Sequence, residues 1–524
     1  MREAGEIDAL PSKRLYLSII ADYDLNRSVC ELVDNALDNW TRNGRKKPLH
    51  VLVNFDYFQQ NITITDDSGG IPKNDLRVVV SPGATSNKPS DELIGLFGVG
   101  TKRAVVALAQ DVRITTRFED LGSYRVQFDD AWLQDSDDWT LPYFEVDNIE
   151  PGTTIVELQK LRIGVNDQNV SRLRDYLGAV YAKFISSPGV VISIDSIPIK
   201  PLLFENWAYP PKYSPQEYVG ELKVEKGNPV QVHIIGGLVN QWTPGGEEYG
   251  VYLYCNDRLI ARALKTYDVG FATKLAGNPH PSDALARVIV SLRGEPQLMP
   301  WNSSKSALDP KNQTFISLRE FIIRVVSDYT ALSRRFQHDW QAEVFRHTKG
   351  KLSTHRVENL VALRKTYLPP LPKAKPRYPE QVSQLNKDVV QNKPWAEGLY
   401  EIIVAVDRIS KSMLSQKNRI QLILLDSALE IGFKEYLVHE SGGIYNDTNL
   451  AALFSKRSQV QNEVEKYLRL GKDFWKRVDF YYWIRCDFVH KRADVGISDE
   501  QIDKYRSMVQ QLFAKMFGLN FPPP

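Results

Sequence analysis

The chain has 524 residues, of which 43% are apolar and 25% charged, and its formal net charge is +2. That length suits about three domains of ordinary globular protein. The near-neutral balance excludes a whole-molecule basic footprint for nucleic acid and leaves room for a local patch. The cysteines Cys30, Cys255 and Cys486 lie far apart without metal-ligand spacing. They suggest a reducing cytoplasm, not a disulfide framework. No apolar run is long enough to span a bilayer, and the N-terminus is too polar for a secretory signal. The expected location is therefore cytoplasmic, with no membrane partner. No repeat occurs at solenoid periods.

In chain order, the first informative stretch is Glu31-Leu-Val-Asp-Asn35-Ala-Leu-Asp38. Residues 26–39 are predicted to be helical, with Val29, Leu32, Val33, Ala36 and Leu37 as the apolar face and Asn43-Gly44 as a stop. Glu31, Asn35 and Asp38, spaced i, i+4, i+7, share one side of that helix. A carboxylate beside a side-chain carbonyl suits a magnesium-nucleotide site: Asn35 can give magnesium an oxygen, and Glu31 can take a proton from an attacking water. The plainer alternative is a solvated polar face. Next, Asn61 to Thr65 alternates as a strand and runs into Asp66, Ser68, Gly69 and Gly70. An acid at a strand end can accept a hydrogen bond from an exocyclic amine, and the glycines let backbone approach a planar base. The same residue types also build ordinary turns. Gly95, Gly98 and Gly100 then open a predicted helix over 101–109, where backbone N–H groups and the helix N-terminus favour phosphate. The stretch is neither a P-loop nor a convincing dinucleotide fingerprint. The fourth stretch is Gly152-Thr153-Thr154.

These four stretches, in this order, resemble the GHKL superfamily of gyrase, heat-shock chaperone, histidine kinase and mismatch-repair ATPases, also called the Bergerat fold. MutL-type and MORC-type members are the nearest echoes. The resemblance implies ATP and Mg2+ as ligands, Glu31 as general base, and Asn35 as magnesium ligand. It implies that Asp66 binds the adenine amino group with support from Thr153, and that Gly95, Gly98 and Gly100 wrap the phosphates. Asp38, Gly70, Thr85, Val99, Thr101 and Lys102 complete the implied nucleotide contacts. Ser81 to Lys88, containing Thr85, resembles the nucleotide lid of mismatch-repair ATPases. Ser68 departs from the glycine usual in the family.

Past Glu157, residues 170–185 read as a helix. Residues 190–199, 219–224, 230–236 and 250–254 read as strands. Tyr252 to Ile260 resembles the strand-turn-strand of mismatch-repair ATPases, with Asn256-Asp-Arg258 in place of an Asn-Gly-Arg turn. Trp301-Asn-Ser-Ser-Lys305-Ser falls where that family carries a lysine on a loop reaching into the neighbouring nucleotide pocket. Lys305 would there face the terminal phosphate and couple nucleotide state to domain orientation. The alternative is a solvent-exposed lysine. Residues 316–362 read as helical and charged, either a solvated connector or an interaction arm.

Residues 367–379, rich in proline, read as a semi-rigid linker. Beyond it the chain is expected to form a helical bundle. Residues 418–439 are apolar almost all round and so predicted to be buried, with Asp426, Glu430 and Lys434 as one polar line. Residues 474–490 are rich in aromatics, and Ser498 to Gln501 form a capping box for a last helix through Met516. Arg485 and His490, with Asp426 to Glu430 on the preceding helix, resemble HEPN domains, many of which are metal-independent ribonucleases. That resemblance implies that Arg485 stabilises phosphate charge and that His490 acts on the RNA 2′-hydroxyl. Residues five apart sit roughly 140° apart around a helix, so a site needs a helix end or a dimer. The alternative is a bundle that dimerises or binds RNA, with Arg485 paired to Asp426 or Glu430.

The expected architecture is α+β: a Bergerat α/β-sandwich ATPase domain over 1–200, an α/β transducer-like domain over 201–340, a helical connector and linker over 341–395, and a C-terminal α-helical bundle over 396–524. The function implied is an ATPase controlling a ribonuclease, acting on RNA as a homodimer or higher homo-oligomer. By analogy of architecture it would be a toxic or antiviral-defence effector. The alternative is a MutL/MORC-like nucleic-acid clamp, with DNA as partner and a bundle that only dimerises.

Overall fold

The structure, a computed structural model, describes residues 13, 23–81, 93–95, 100–135, 139–224, 227–242, 247–337, 339–373, 378–443, 445, 447–490 and 496–523. The chain divides into two compact units, Met1–Pro372 and Lys373–Pro524. The division falls inside the proline-rich stretch.

Among the described residues, the first helix of the first unit is α1, Leu25–Arg42. Asp24 caps it, its carboxylate accepting the Arg27 backbone N–H at 2.8 Å. Such a cap satisfies one of the donors orphaned at a helix start. Asn43 ends it, donating its backbone N–H to the Asn39 carbonyl. Val29, Leu32, Val33, Ala36 and Leu37 are buried, as the periodicity requires. The strands that follow are β1 (Leu49–Asp56), β2 (Asn61–Asp66), β3 (Ala109–Arg117), β4 (Ser123–Asp129), β5 (Tyr143–Val146), β6 (Thr154–Leu161), β7 (Val190–Ile194) and β8 (Ile197–Pro198). They form one sheet in the order β5-β4-β3-β6-β2-β1-β7-β8, antiparallel apart from the β1–β7 pair. Between the strands lie helices α2 (Arg77–Val80), α3 (Gly100–Leu108), α4 (Asp130–Gln134), α5 (Asp167–Val180) and α6 (Ala182–Ser186). The expected single helix over 170–185 is thus two, parted at Tyr181, whose hydroxyl is drawn into a buried polar cluster. Residues of α1, α3 and α5 share one core with the sheet, including Val29, Val33, Val105, Ile114, Leu158, Leu173 and Ile192.

A second sheet follows in the same unit: β9 (Gln216–Leu222), β10 (Val230–Leu238), β11 (Gly250–Cys255), β12 (Arg258–Leu264), β13 (Ala286–Arg293) and β14 (Ser353–Arg356), in the order β12-β11-β13-β10-β9-β14. Helix α7, Gln313–Arg335, packs Leu318, Phe321, Ile322, Val325 and Tyr329 into its core. The expectation of a charged helical connector over 316–362 is corrected here. The helix ends at Arg335 with an apolar stripe facing the sheet, and residues 353–356 form a parallel edge strand beside β9. Charge on the exposed side of α7 concealed the stripe.

The second unit is helical: α8 (Tyr378–Leu385), α9 (Lys387–Asn392), α10 (Ala396–Ser410), α11 (Lys417–His439), α12 (Asp447–Phe454), α13 (Arg457–Tyr467), α14 (Lys472–His490) and α15 (Asp499–Phe517). The capping box forms: the Ser498 hydroxyl accepts the Gln501 N–H at 3.2 Å, and the Gln501 side chain accepts the Ser498 N–H at 2.9 Å. Helix α11 departs from its expected all-round burial. Leu422, Leu425, Leu429, Phe433 and Leu437 are buried, whereas Ile420, Ile431 and Val438 face solvent. The chain is mixed α and β, and among its described residues no helix is long and apolar enough to cross a membrane.

Candidate functional site

Strand register assembles one wall. Asp66, at the end of β2, pairs with Thr154 of β6, and Thr154 pairs in turn with Thr116 of β3. The Thr116 hydroxyl lies 3.1 Å from that of Thr154 and accepts the Ile71 N–H at 2.8 Å. It also lies 3.3 Å from the carbonyl of Thr153, itself a buried residue. The Asp66 carboxylate accepts the Ser68 N–H at 3.1 Å. Burial raises its pKa to about 6, against the lowering effect of the Ser68 hydrogen bonds. Gly70 has φ +68°, and a Cβ there would lie 2.0 Å from the Arg117 carbonyl oxygen. The turn therefore requires glycine on both counts. Serine at position 68 is accommodated: its hydroxyl accepts from the Asn39 amide at 2.9 Å, and its carbonyl from the Asn43 amide at 2.9 Å.

Helix α1 is the hub. Besides Asn39 and Asn43 on the 68–70 turn, it carries Asp38, whose carboxylate accepts the backbone N–H groups of Ile94 (2.8 Å) and Gly95 (2.7 Å). Desolvation raises the Asp38 pKa to about 7, opposed by those two bonds. Asp38 and the Gly95 N–H, both expected on the nucleotide, thus hold one another, and the pair anchors the start of the glycine loop. Glu31 touches α3: a Cβ on Gly100 would stand 2.0 Å from Glu31 Oε2. Lys102, one turn into α3, is buried, and desolvation lowers its pKa to about 8. Thr101 lies in the first turn of α3. Thr85, Gly98 and Val99 lie outside the described residues.

Asn35 is exposed between buried Asp34 and Ala36. Its amide oxygen, with phosphate oxygens and water, is the sparse donor set that Mg2+ accepts. Among the described residues no cluster of three His, Cys, Asp or Glu could hold a metal by itself. The residues present fit a magnesium ion carried by a nucleotide.

Lys305 is buried, not solvent-exposed. Its ammonium donates to Glu31 Oε2 at 2.6 Å and to Asp34 Oδ2 at 3.1 Å. Asp34 Oδ1 accepts from Arg258 Nε at 2.8 Å and lies 2.7 Å from the Tyr181 hydroxyl. The Arg258 guanidinium also donates to the Lys305 carbonyl. Asn256 and Asp257, with φ 47° and 65°, make the turn between β11 and β12 that presents Arg258. The Asn256 amide donates to the carbonyls of Leu93 and Gly294, both at 2.9 Å. Burial and the Asp34 charge push the Glu31 carboxyl above its usual range, against the pull of Lys305. For Asp34 burial also pushes upward, but Arg258 and Lys305 outweigh it and hold the carboxyl low. Glu31 and Asp34 together hold Lys305 protonated against its own desolvation. Asp34 and Tyr181 were not singled out in the sequence, and Arg258 only as part of the Asn256-Asp-Arg258 turn. The available signal was an acid among the buried positions of α1, which needs partners.

A helix bearing an acid and an exposed amide, an aspartate-ended strand and glycine turns thus meet at one end of the central strands of a helix-covered sheet, the arrangement expected of a GHKL-type ATPase domain. Residues 23–164 match the family model for the histidine kinase-, DNA gyrase B-, and HSP90-like ATPases. That match supports ATP binding and hydrolysis by this segment. No curated protein matches the chain.

In the helical unit, Arg485 and His490 do not converge. His490 is exposed at the end of α14, whereas Arg485 turns toward buried Asp426, Nε to Oδ2 at 3.5 Å. Asp426 also faces Arg457 at 3.0 Å and accepts from the Tyr505 hydroxyl at 3.0 Å. The Arg457 guanidinium lies over the Tyr482 ring, 4.2 Å from its centroid.

Proposed function

We propose that this protein is an ATP-hydrolysing machine in which Glu31 is the general base and Lys305 relays the state of the nucleotide to the second sheet. Glu31 Oε2 is engaged by Lys305, while Oε1 is buried without a protein hydrogen-bond donor among the described residues. That free oxygen is the atom suited to accept a proton from water attacking the terminal phosphate. Asn35 would hold Mg2+, which when bound neutralises phosphate charge. Asp66 would accept from the adenine amine, and Lys102 with the α3 N-terminus would meet the phosphates. The Lys305 ammonium would stabilise charge growing on the terminal phosphate. The observation carrying this reading is the direct Lys305–Glu31 contact between a loop after β13 and the helix of the matched segment. The test is ATP turnover by the purified chain beside Glu31→Ala; equal turnover in the two would remove Glu31 from the role.

We extend the proposal to the helical unit as the effector of this cycle, cleaving RNA through Arg485 and His490 in a homodimer, as a defence effector would. Its support is the exposure of His490 and the 27% exposure of the Arg485 side chain on the same helix. The Arg485–Asp426 pair favours a second reading, a MutL/MORC-like clamp on nucleic acid in which this unit only dimerises. Incubation with total RNA, with and without ATP and beside His490→Ala, separates them: cleavage that survives the substitution rules out the nuclease assignment.

A further inference from the structure

Among the side chains around Glu31, Asp34 has the densest set of partners and no part in the chemistry described above. It is one turn along α1 from Glu31 and 1% exposed. Its two oxygens divide the work. Oδ1 faces Arg258 and Tyr181, which belong to β12 and to the break between α5 and α6. Oδ2 faces Lys305 alone among the described residues, at 3.1 Å. Lys305 therefore sits between two carboxylates. One, Glu31, must be free to take a proton during hydrolysis. The other is fixed by a guanidinium and a hydroxyl.

We propose that Asp34 is a positioning residue for ATP hydrolysis, an anchor that keeps the Lys305 ammonium in the site when it moves off Glu31 toward the terminal phosphate. The inference rests on the ATPase reading. A buried ammonium bound to one carboxylate alone would leave that carboxylate only at a large electrostatic cost, because the partner left behind is desolvated. With Asp34 present, the ammonium keeps one charged partner throughout, and the exchange is between Glu31 and phosphate oxygen. The Lys305 backbone is held for such a pivot. Its φ is 51°, its N–H donates to the Asn302 carbonyl at 2.9 Å, and its carbonyl accepts from Arg258. The side chain moves while the loop stays. Arg258 thus ties both the anchor and the loop to β12.

The test is a double-mutant cycle on the full chain with MgATP as probe, reading kcat and, separately, the ATP dissociation constant. Asp34→Asn should lower kcat by about tenfold or more and change ATP affinity by less than about threefold, the signature of an interaction needed after binding. In a Lys305→Met background, the same substitution should lower residual single-turnover hydrolysis by less than about twofold, because the group it positions is gone. A purely structural role would lower both backgrounds alike, and that result, or an unchanged kcat in Asp34→Asn, overturns the inference. If Asp34→Asn does not fold, Tyr181→Phe decides. It removes one hydroxyl at 2.7 Å and keeps the ion pairs. A kcat loss of about threefold that vanishes in the Lys305→Met background supports the anchor, and an unchanged kcat overturns it. A wild-type chain without ATP turnover overturns the ATPase reading and this inference together. Normal turnover that is indifferent to Asp34 overturns this inference alone.

Discussion

The Lys305 ammonium lies 2.6 Å from Glu31 Oε2, and 274 positions of sequence separate the two residues. The contact joins the lysine of one sheet's loop to the acid of the other sheet's helix. Lys305→Ala should slow hydrolysis far more than it weakens ATP binding. It should also destabilise the first unit by about 3–5 kcal/mol, because two buried carboxylates lose their shared cation. Steady-state kinetics with a thermal melt checks both. Equal losses in binding and turnover would reduce Lys305 to a simple phosphate contact.

Glu31→Gln keeps the shape of the side chain and removes the base. ATP should bind within about threefold of wild type while turnover falls by about 10²–10⁴. Isothermal titration beside a phosphate-release assay measures the two separately.

Nucleotide affinity should depend on pH through Asp66. Its carboxylate must be ionised to accept two donors, and burial places its pKa at about 6. The ionised form predominates above that value, so affinity should hold there and fall roughly tenfold per pH unit below it. Asp66→Asn should bind ATP poorly and lack this dependence. A wild-type affinity that runs flat from pH 7 to pH 5 would place the adenine elsewhere.

Gly70→Ala should be among the most damaging small substitutions in the matched segment. The added methyl meets the Arg117 carbonyl oxygen, and φ +68° is strained for alanine. A loss of about 1–3 kcal/mol in stability is expected from the backbone strain alone. Loss of ATP binding should accompany it. A melting temperature equal to wild type would show that the turn relaxes.

Asp426 should matter to the helical unit whatever that unit does. Removing it as Asp426→Ala leaves Arg457 facing a buried hole and should cost about 3–5 kcal/mol, read as a lower melting temperature. Arg485→Ala divides the two functional readings. A fall in melting temperature alone marks Arg485 as structural, and a loss of RNA cleavage at unchanged stability marks it as catalytic.

What could be read from the sequence was local. The apolar stripe and stop of α1 lie within about twenty consecutive residues, and each is a backbone or periodicity signal. The Asp66-to-Gly70 turn is similar: an acid and two glycines at the end of an alternating strand. The Asp34 cluster was opaque because its partners Arg258 and Tyr181 lie 224 and 147 positions away. No local pattern distinguishes a buried acid with distant partners from a solvated one. The bonds to Asp38 were hidden for a related reason. Its spacing from Glu31 places it on the right side of the helix, but helix geometry does not reveal that the chain from Ile94 returns to take both its oxygens. The edge strand over 353–356 was missed because four polar residues carry no alternation against a core, and only their pairing with β9 defines them.

That edge strand has a practical consequence for dissecting the protein. With β14 in place, the outer backbone of β9 is hydrogen-bonded to the chain's own later residues. A fragment cut at the end of α7 would bare a row of amides and carbonyls beside exposed Val219, a template on which foreign strands can polymerise. The Tyr367 ring also stacks on Tyr218, and its N–H reaches the Tyr218 hydroxyl at 3.1 Å. Truncations meant to isolate the nucleotide-binding half should therefore run past Tyr367, since shorter ones invite insolubility that would be mistaken for loss of function.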